Sequence, residues 1–236
     1  LRSQKQIKHF IDAEIDHRLL VPTALSGCST DKQNDQLLIE FPLCSGGLIT
    51  HQSPQDAVLL IDAKQIEASN IANDLQLRIA ALLPDNVNEV LIHLRHEEIS
   101  GAYYHYTHGL QQHLGQCQRI AHGHRSRIEI TIDGQRNSQL EAHWANLLKA
   151  GYIATAEHIS GEFDLNGIAH TGLKYTAQQG DFAISLPSSK VYVMPIESTV
   201  ENIANHLAEV IAQQYKTPVV VKAYEGLQKG AFGKVA

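Results

Sequence analysis

The stretch from Ala102 to Asp133, AYYHYTHGLQQHLGQCQRIAHGHRSRIEITID, restricts the fold more than any other part of the chain, because its second half alternates. Ile128, Ile130 and Ile132 share one face, while Arg125, Arg127, Glu129 and Asp133 share the other, as in a half-buried β-strand. Extending that period of two backwards puts His122 and His124 on the isoleucine face. Tyr104, Tyr106 and His108 alternate at the same spacing. Seven of the fourteen histidines lie between His93 and His124, and Cys117 sits among them. Two imidazoles at i and i+2 of one strand can meet on one ion, and His108 offers a third. The spacing predicts a zinc site of His108, His122 and His124 with an open fourth position, as catalytic zinc requires. A histidine on an apolar face also serves as an ordinary core residue, so spacing alone leaves both readings open.

With 236 residues the chain can bury a sizeable core, as one large domain or two smaller ones. A formal charge of −6 gives no basic footprint for nucleic acid. Cys28, Cys44 and Cys117 are odd in number and widely spaced, which argues against a disulfide framework and for a reducing, cytoplasmic setting. No apolar run approaches the ~20 residues of a membrane helix, so no membrane partner is expected. The first residue is Leu1, and the chain is expected to be a fragment whose start is missing.

Residues 3–15 read as an amphipathic helix with Ile7, Phe10, Ile11 and Ile15 on one stripe. It runs into Asp16-His17 and stops at Val21-Pro22. A polar loop is expected over 26–35, strands over 36–41 and 57–61 with a Gly/Ser loop between them, a helix over 66–83 and a strand over 90–94. After the alternating strand at 125–133, Leu140, Trp144, Leu147 and Leu148 mark a helix. Residues 151–179 carry too many glycines for a clear period. Residues 182–186 and 191–196 suggest a hairpin across Pro187. Ser198-Thr-Val-Glu201 reads as a capping box opening a helix, and a strand follows over 219–223. Asn70-Ile-Ala-Asn73 matches Asn202-Ile-Ala-Asn205, each followed by a similar strand, so the chain reads as an internal duplication.

His108-Gly-Leu, then Cys117, then His122-Gly-His124 leading into a strand resembles the signature of the 6-pyruvoyltetrahydropterin and 6-carboxytetrahydropterin synthase family. Arg125 departs from the small polar residue that often follows the second histidine of the H-G-H pair. The resemblance implies an α+β tandem tunnelling fold (T-fold): residues 1–98 as a first copy lacking its opening hairpin, and 99–236 as a second. It implies that the three histidines hold Zn²⁺ and that Cys117 is catalytic, with a thiol pKa lowered by the ion and by imidazolium. Asp16-His17 resembles the family's Asp-His proton-transfer pair. Each half then keeps its own share of one composite site.

Glu225 corresponds to the family's pterin-anchoring glutamate, placed to accept hydrogen bonds from an amidine edge. His96 or Glu97 stands at its counterpart in the first copy. Thr199 and Glu201 sit in a motif where Ser198 replaces the family's proline; they either touch the pterin or only cap a helix. Lys229 either approaches a triphosphate or belongs to a tail. The implied substrate is 7,8-dihydroneopterin triphosphate. The implied product is 6-carboxytetrahydropterin, which feeds the queuosine-type deazapurine pathway, or 6-pyruvoyltetrahydropterin, from a homo-oligomer. Two rivals stay open: a metal-dependent hydrolase on another fold, and a non-catalytic T-fold module that binds a pterin or purine.

Overall fold

A computed structural model describes residues 2–95, 98–226 and 228–236. Helix α1 (Arg2–Ile15) leads to β1 (Leu19–Pro22). An antiparallel meander of β2 (Ser29–Gln33), β3 (Gln36–Pro42) and β4 (Leu48–Pro54) follows. A 3-10 turn over Gln55–Ala57 then leads to β5 (Val58–Ile61) and α2 (Ala68–Ala80). Beyond the connector, β6 (Tyr103–His108) pairs with β7 (His122–Ile132), which also carries the short β8 (Gln135–Arg136). The rest runs α3 (Ser138–Leu148), β9 (Gly151–Thr155), β10 (Ile159–Leu165), β11 (Ile168–Ala177) and β12 (Gly180–Pro187). It closes with β13 (Val191–Met194), α4 (Val200–Tyr215), β14 (Val219–Tyr224) and β15 (Gly230–Val235).

The class is α+β, with largely antiparallel sheets. Beneath α3 and α4 lies a sheet ordered β13-β9-β6-β7-β14-β15. Its alternation is the one read from the sequence: Tyr104, Tyr106, Ile128 and Ile130 point into a core with Trp144, Leu148, Ile203, Leu207 and Ile211. Each fully buried aliphatic side chain there contributes about 2 kcal/mol. The order helix, strand, three-stranded meander, strand, helix occurs twice, and the parallel pair β1–β5 has its counterpart in β9–β13. The two meanders meet at β4–β12, giving a six-stranded sheet β10-β11-β12-β4-β3-β2.

Four expectations are corrected. The polar loop contains β2, an edge strand with every residue exposed, which hydrophobic patterning cannot reveal. The Gly/Ser loop contains β4, whose inward residues are the polar His51 and Ser53. Residues 90–94 are not a strand: Leu91 is 64% exposed, and the Ile92 N–H donates to Gln76 Oε1 (2.8 Å) instead of to a ladder. β12 and β13 form no hairpin, since β12 pairs with β11 and β4 while β13 joins β9. His96 and Glu97 lie outside the described residues.

The seam between the meanders has a pH consequence. His51 stands opposite Ile39 and Ile184, is 1% exposed, and its Nδ1 has no partner. Burial lowers its pKa to about 4. A depressed folded pKa means that the unfolded chain binds the proton first. The neutral ring therefore gives its full contribution above about pH 6.5, and that contribution falls away as pH drops towards 4, by about 3 kcal/mol. His51→Leu is expected to flatten this part of the acid limb, checked by urea midpoints at pH 7 and pH 4.5. An unchanged pH dependence in the variant would remove His51 from the account.

Candidate active site

The Cβ alternation of β6 and β7 aims His108, His122 and His124 into the same end of the sheet. His108 faces His122 directly in the strand register. Ring centroids are 4.4 Å apart for His108–His122, 5.1 Å for His108–His124 and 5.2 Å for His122–His124. The outer nitrogens of two rings are fixed by the protein. His108 Nδ1 donates to the Ser198 carbonyl (3.0 Å), with Ser198 Oγ at 2.9 Å, and His122 Nδ1 donates to the Arg119 carbonyl (2.8 Å). Those bonds place the lone pairs on Nε2. Both Nε2 atoms are buried and have no hydrogen-bond partner. Burial lowers the His122 pKa to about 3 and pushes His108 well below its usual range, so both rings are neutral, as metal ligands must be. Buried, unprotonated and unpartnered nitrogens on neighbouring rings fit a divalent cation.

The N-terminal half supplies a fourth ring. His17 follows α1 with a left-handed φ of 54°. Its ring lies 4.9 Å from His122 and 6.0 Å from His124. Ligand atoms of His17, His122 and His124 all fall within 4.8 Å of one another, a grouping that has His17 where the sequence placed His108. His17 is also tied to two other groups. Its Nδ1 donates to Asp16 Oδ1 at 2.7 Å, which leaves Nε2 as an acceptor 3.5 Å from Cys117 Sγ. Asp16, His17 and Cys117 thus form a chain of acceptor, relay and thiol across 100 residues of sequence.

Cys117 lies in a 3-10 turn, Gly115–Gln118, within the β6–β7 connection. That connection starts at Gly109, where a Cβ would stand 2.0 Å from the Tyr175 hydroxyl and 2.7 Å from Ile120 Cα; only glycine passes there. Burial first, then Glu225, push the Cys117 thiol pKa up; the lowering expected from the sequence was tied to a bound ion and an imidazolium. Protein groups alone therefore keep the thiol protonated, and a base must take its proton. His17 is in place to do so.

Glu225 follows β14, with Oε1 3.7 Å from His124 Nε2 and Oε2 2.7 Å from Lys229 Nζ. The Lys229 hydrogen bond and the His124 and Lys229 charges outweigh desolvation and hold the Glu225 carboxyl below its usual range. Lys229 is thus engaged with the glutamate rather than lying loose in a tail. Thr199, not Ser198, is the N-cap of α4, its hydroxyl accepting from the Asn202 N–H (3.3 Å). The helix is therefore capped one residue later than read and without the reciprocal bond of a capping box, since Asn202 at N3 donates to the Glu197 carbonyl, and the fully buried Ser198 is free to hold His108. Glu201 is exposed on the first turn of α4 and reaches Tyr106 and Lys229 only electrostatically. Ser198 and Arg119 were missed as site residues. The replaced proline was a signal for Ser198; nothing in the sequence singles out Arg119.

The site is therefore an imidazole cluster on an antiparallel sheet, with a thiol and a carboxylate–imidazole pair beside it. A sequence model of the family described as 6-pyruvoyl tetrahydropterin synthase matches residues 98–232, more than half of the chain, and the chain belongs to that family. Solved structures similar to it include 6-pyruvoyltetrahydropterin synthase from Plasmodium vivax, in a catalytic-residue mutant. It is 14% identical, covering 56% of this chain and 91% of that one with a TM-score of 0.40. Another is the Plasmodium falciparum protein, 10% identical over the same shares with a TM-score of 0.38. No curated protein matches the chain.

Proposed function

We propose that this protein is a zinc-dependent pterin synthase acting on 7,8-dihydroneopterin triphosphate, with 6-carboxytetrahydropterin as product. The observation that carries the reading is the meeting of Asp16, His17 and Cys117 beside the imidazoles of His122 and His124. His108, His122 and His124 would hold the ion, with His17 as the alternative third ligand. Zn²⁺ bound there supplies Lewis acidity toward the substrate's side-chain hydroxyls. Cys117, once deprotonated by His17, takes a carbon-bound proton from that side chain. His17, oriented by Asp16, carries the proton back and assists departure of triphosphate, and formation of the 6-carboxy product further releases two side-chain carbons as acetaldehyde. Glu225 turns from Lys229 to accept two hydrogen bonds from the pterin's amidine edge, which fixes the side chain against the imidazoles. Thr199 and Glu201, at the start of α4, border the ring's path. Lys229, once released, is available to the triphosphate.

A second reading, 6-pyruvoyltetrahydropterin as product, is favoured by the description of the matching family. Incubation with dihydroneopterin triphosphate and product identification by mass separates the two. Zinc content without either product returns the hydrolase reading, and pterin binding without turnover returns the non-catalytic module. The twice-repeated element order supports a tandem T-fold whose first copy lacks its hairpin, divided near residue 98. We place the protein in the cytoplasm as a homo-oligomer, without nucleic-acid or membrane partners. Among the described residues no helix is long and apolar enough to cross a membrane.

The hydrogen bond that Ser198 accepts from His108 gives a separate check on the metal assignment. Outer-sphere partners of metal-bound histidines typically hold 10- to 100-fold of affinity. Because the Ser198 carbonyl remains, Ser198→Ala is expected to weaken zinc binding by about 10-fold, at the low end of that range. Competition with a chromophoric chelator measures it, and unchanged affinity would mean that the hydroxyl does not orient His108.

A further inference from the structure

Arg119 lies where both halves of the chain and the thiol loop come together. Its side chain is 3% exposed, an unusual setting for a guanidinium. One terminal nitrogen donates to Asp56 Oδ2 (3.0 Å), in the turn between β4 and β5, and the other to the Asp16 carbonyl (3.3 Å). Its backbone N–H donates to the Gln116 carbonyl (3.0 Å), beside Cys117. Its own carbonyl accepts from His122 Nδ1 (2.8 Å). Four bonds from one residue thus reach the end of α1, the first-half meander, the thiol turn and a candidate metal ligand. The planar fork suits this task, because a lysine could satisfy only one of the two side-chain acceptors well.

We infer that Arg119 is the positioning residue that holds the Asp16–His17 pair in register with Cys117, with Asp56 anchoring the guanidinium from outside. The inference rests on the proposed roles of His17 and Cys117. The backbone around Asp16 and His17 has no ladder of its own, and His17 is held in a left-handed conformation between α1 and β1. The bond to the Asp16 carbonyl fixes that turn from the Cys117 side. Without it, Nε2 is free to leave the thiol even though the hydrogen bond to Asp16 stays intact. A misplacement of about 1 Å in such a contact costs about 100-fold in rate.

The test is a double-mutant cycle read on the alkylation of Cys117 by iodoacetamide, followed by peptide mass so that Cys28 and Cys44 do not interfere. In the otherwise native protein, His17→Ala is expected to slow Cys117 alkylation by about 10-fold or more, as loss of a positioned base should. In an Arg119→Ala background the same change is expected to have less than about a 2-fold effect, because His17 no longer addresses the thiol. Asp56→Asn, which keeps an acceptor at an exposed site, is expected to reduce the coupling partway, and Arg119→Lys to restore little of it. An equal His17 effect with and without Arg119, or full coupling in Asp56→Asn, overturns the inference. Turnover is measured in parallel: Arg119→Ala is expected to lower kcat by about 100-fold with little change in KM. A native protein that turns over no dihydroneopterin triphosphate defeats the proposed reaction, while the alkylation cycle still decides the role of Arg119.

Discussion

Cys117→Ala is expected to lower turnover of dihydroneopterin triphosphate by between about 10² and 10⁴, the range of a lost general acid or base. Zinc content and the unfolding midpoint are expected to stay near native, because the side chain is only half-buried and belongs to no strand. The separation matters. A ligand loss or a folding defect would change metal content or stability, whereas loss of the proton-transfer thiol changes kcat. The structure keeps the thiol protonated in its own environment. The pH–rate profile should therefore follow the His17–Cys117 pair as one coupled unit rather than either group alone. A variant that turns over within a few-fold of native would remove the thiol from the mechanism and revive the hydrolase reading.

His122→Ala is expected to have the largest effect on the metal. His122 belongs to every grouping of rings the site allows, whether His17 or His108 is the third ligand. Its loss is expected to weaken zinc by more than about 100-fold, beyond what an outer-sphere partner commands. Turnover should fall to background even when Cys117 and His17 are intact. His108→Ala and His17→Ala, compared side by side by equilibrium dialysis, then show which ring completes the set. If His17→Ala keeps native zinc affinity and loses turnover, the ring serves the proton; if it loses both, it serves the ion. Zinc bound normally in His122→Ala would end the three-imidazole account.

The site was legible where its residues obey the period of the strand that carries them. His122 and His124 continue the alternation of Ile128 and Ile130, so their inward direction followed from covalent geometry alone. The same holds for His108 beyond Tyr104 and Tyr106. Contacts across distant segments were not legible by spacing: Asp16 and His17 reach Cys117 only because α1 and β1 are fixed on the other half. Family resemblance pointed to the pair; the strand period did not. The cap was misplaced by one residue because propensity ranks Ser above Thr, whereas the burial of Ser198 leaves the role to Thr199. In the fold, β4 was hidden by its polar core face and β2 by its full exposure. Residues 90–94 show the reverse failure, an apolar run with β-branched residues that finds no ladder, since β-propensity depends on neighbours to pair with. The glycine-rich stretch after 151 resolved into β9, β10 and β11, where Gly161 marks a register shift rather than a loop.

The proximity of Cys117 and His17 within one polypeptide has a consequence for concentration. Their encounter is unimolecular, so dilution cannot part them. Heredity is affected as well: a change at residue 17 and its compensation at residue 117 travel in one gene product. Every copy of this protein therefore carries a matched thiol and imidazole.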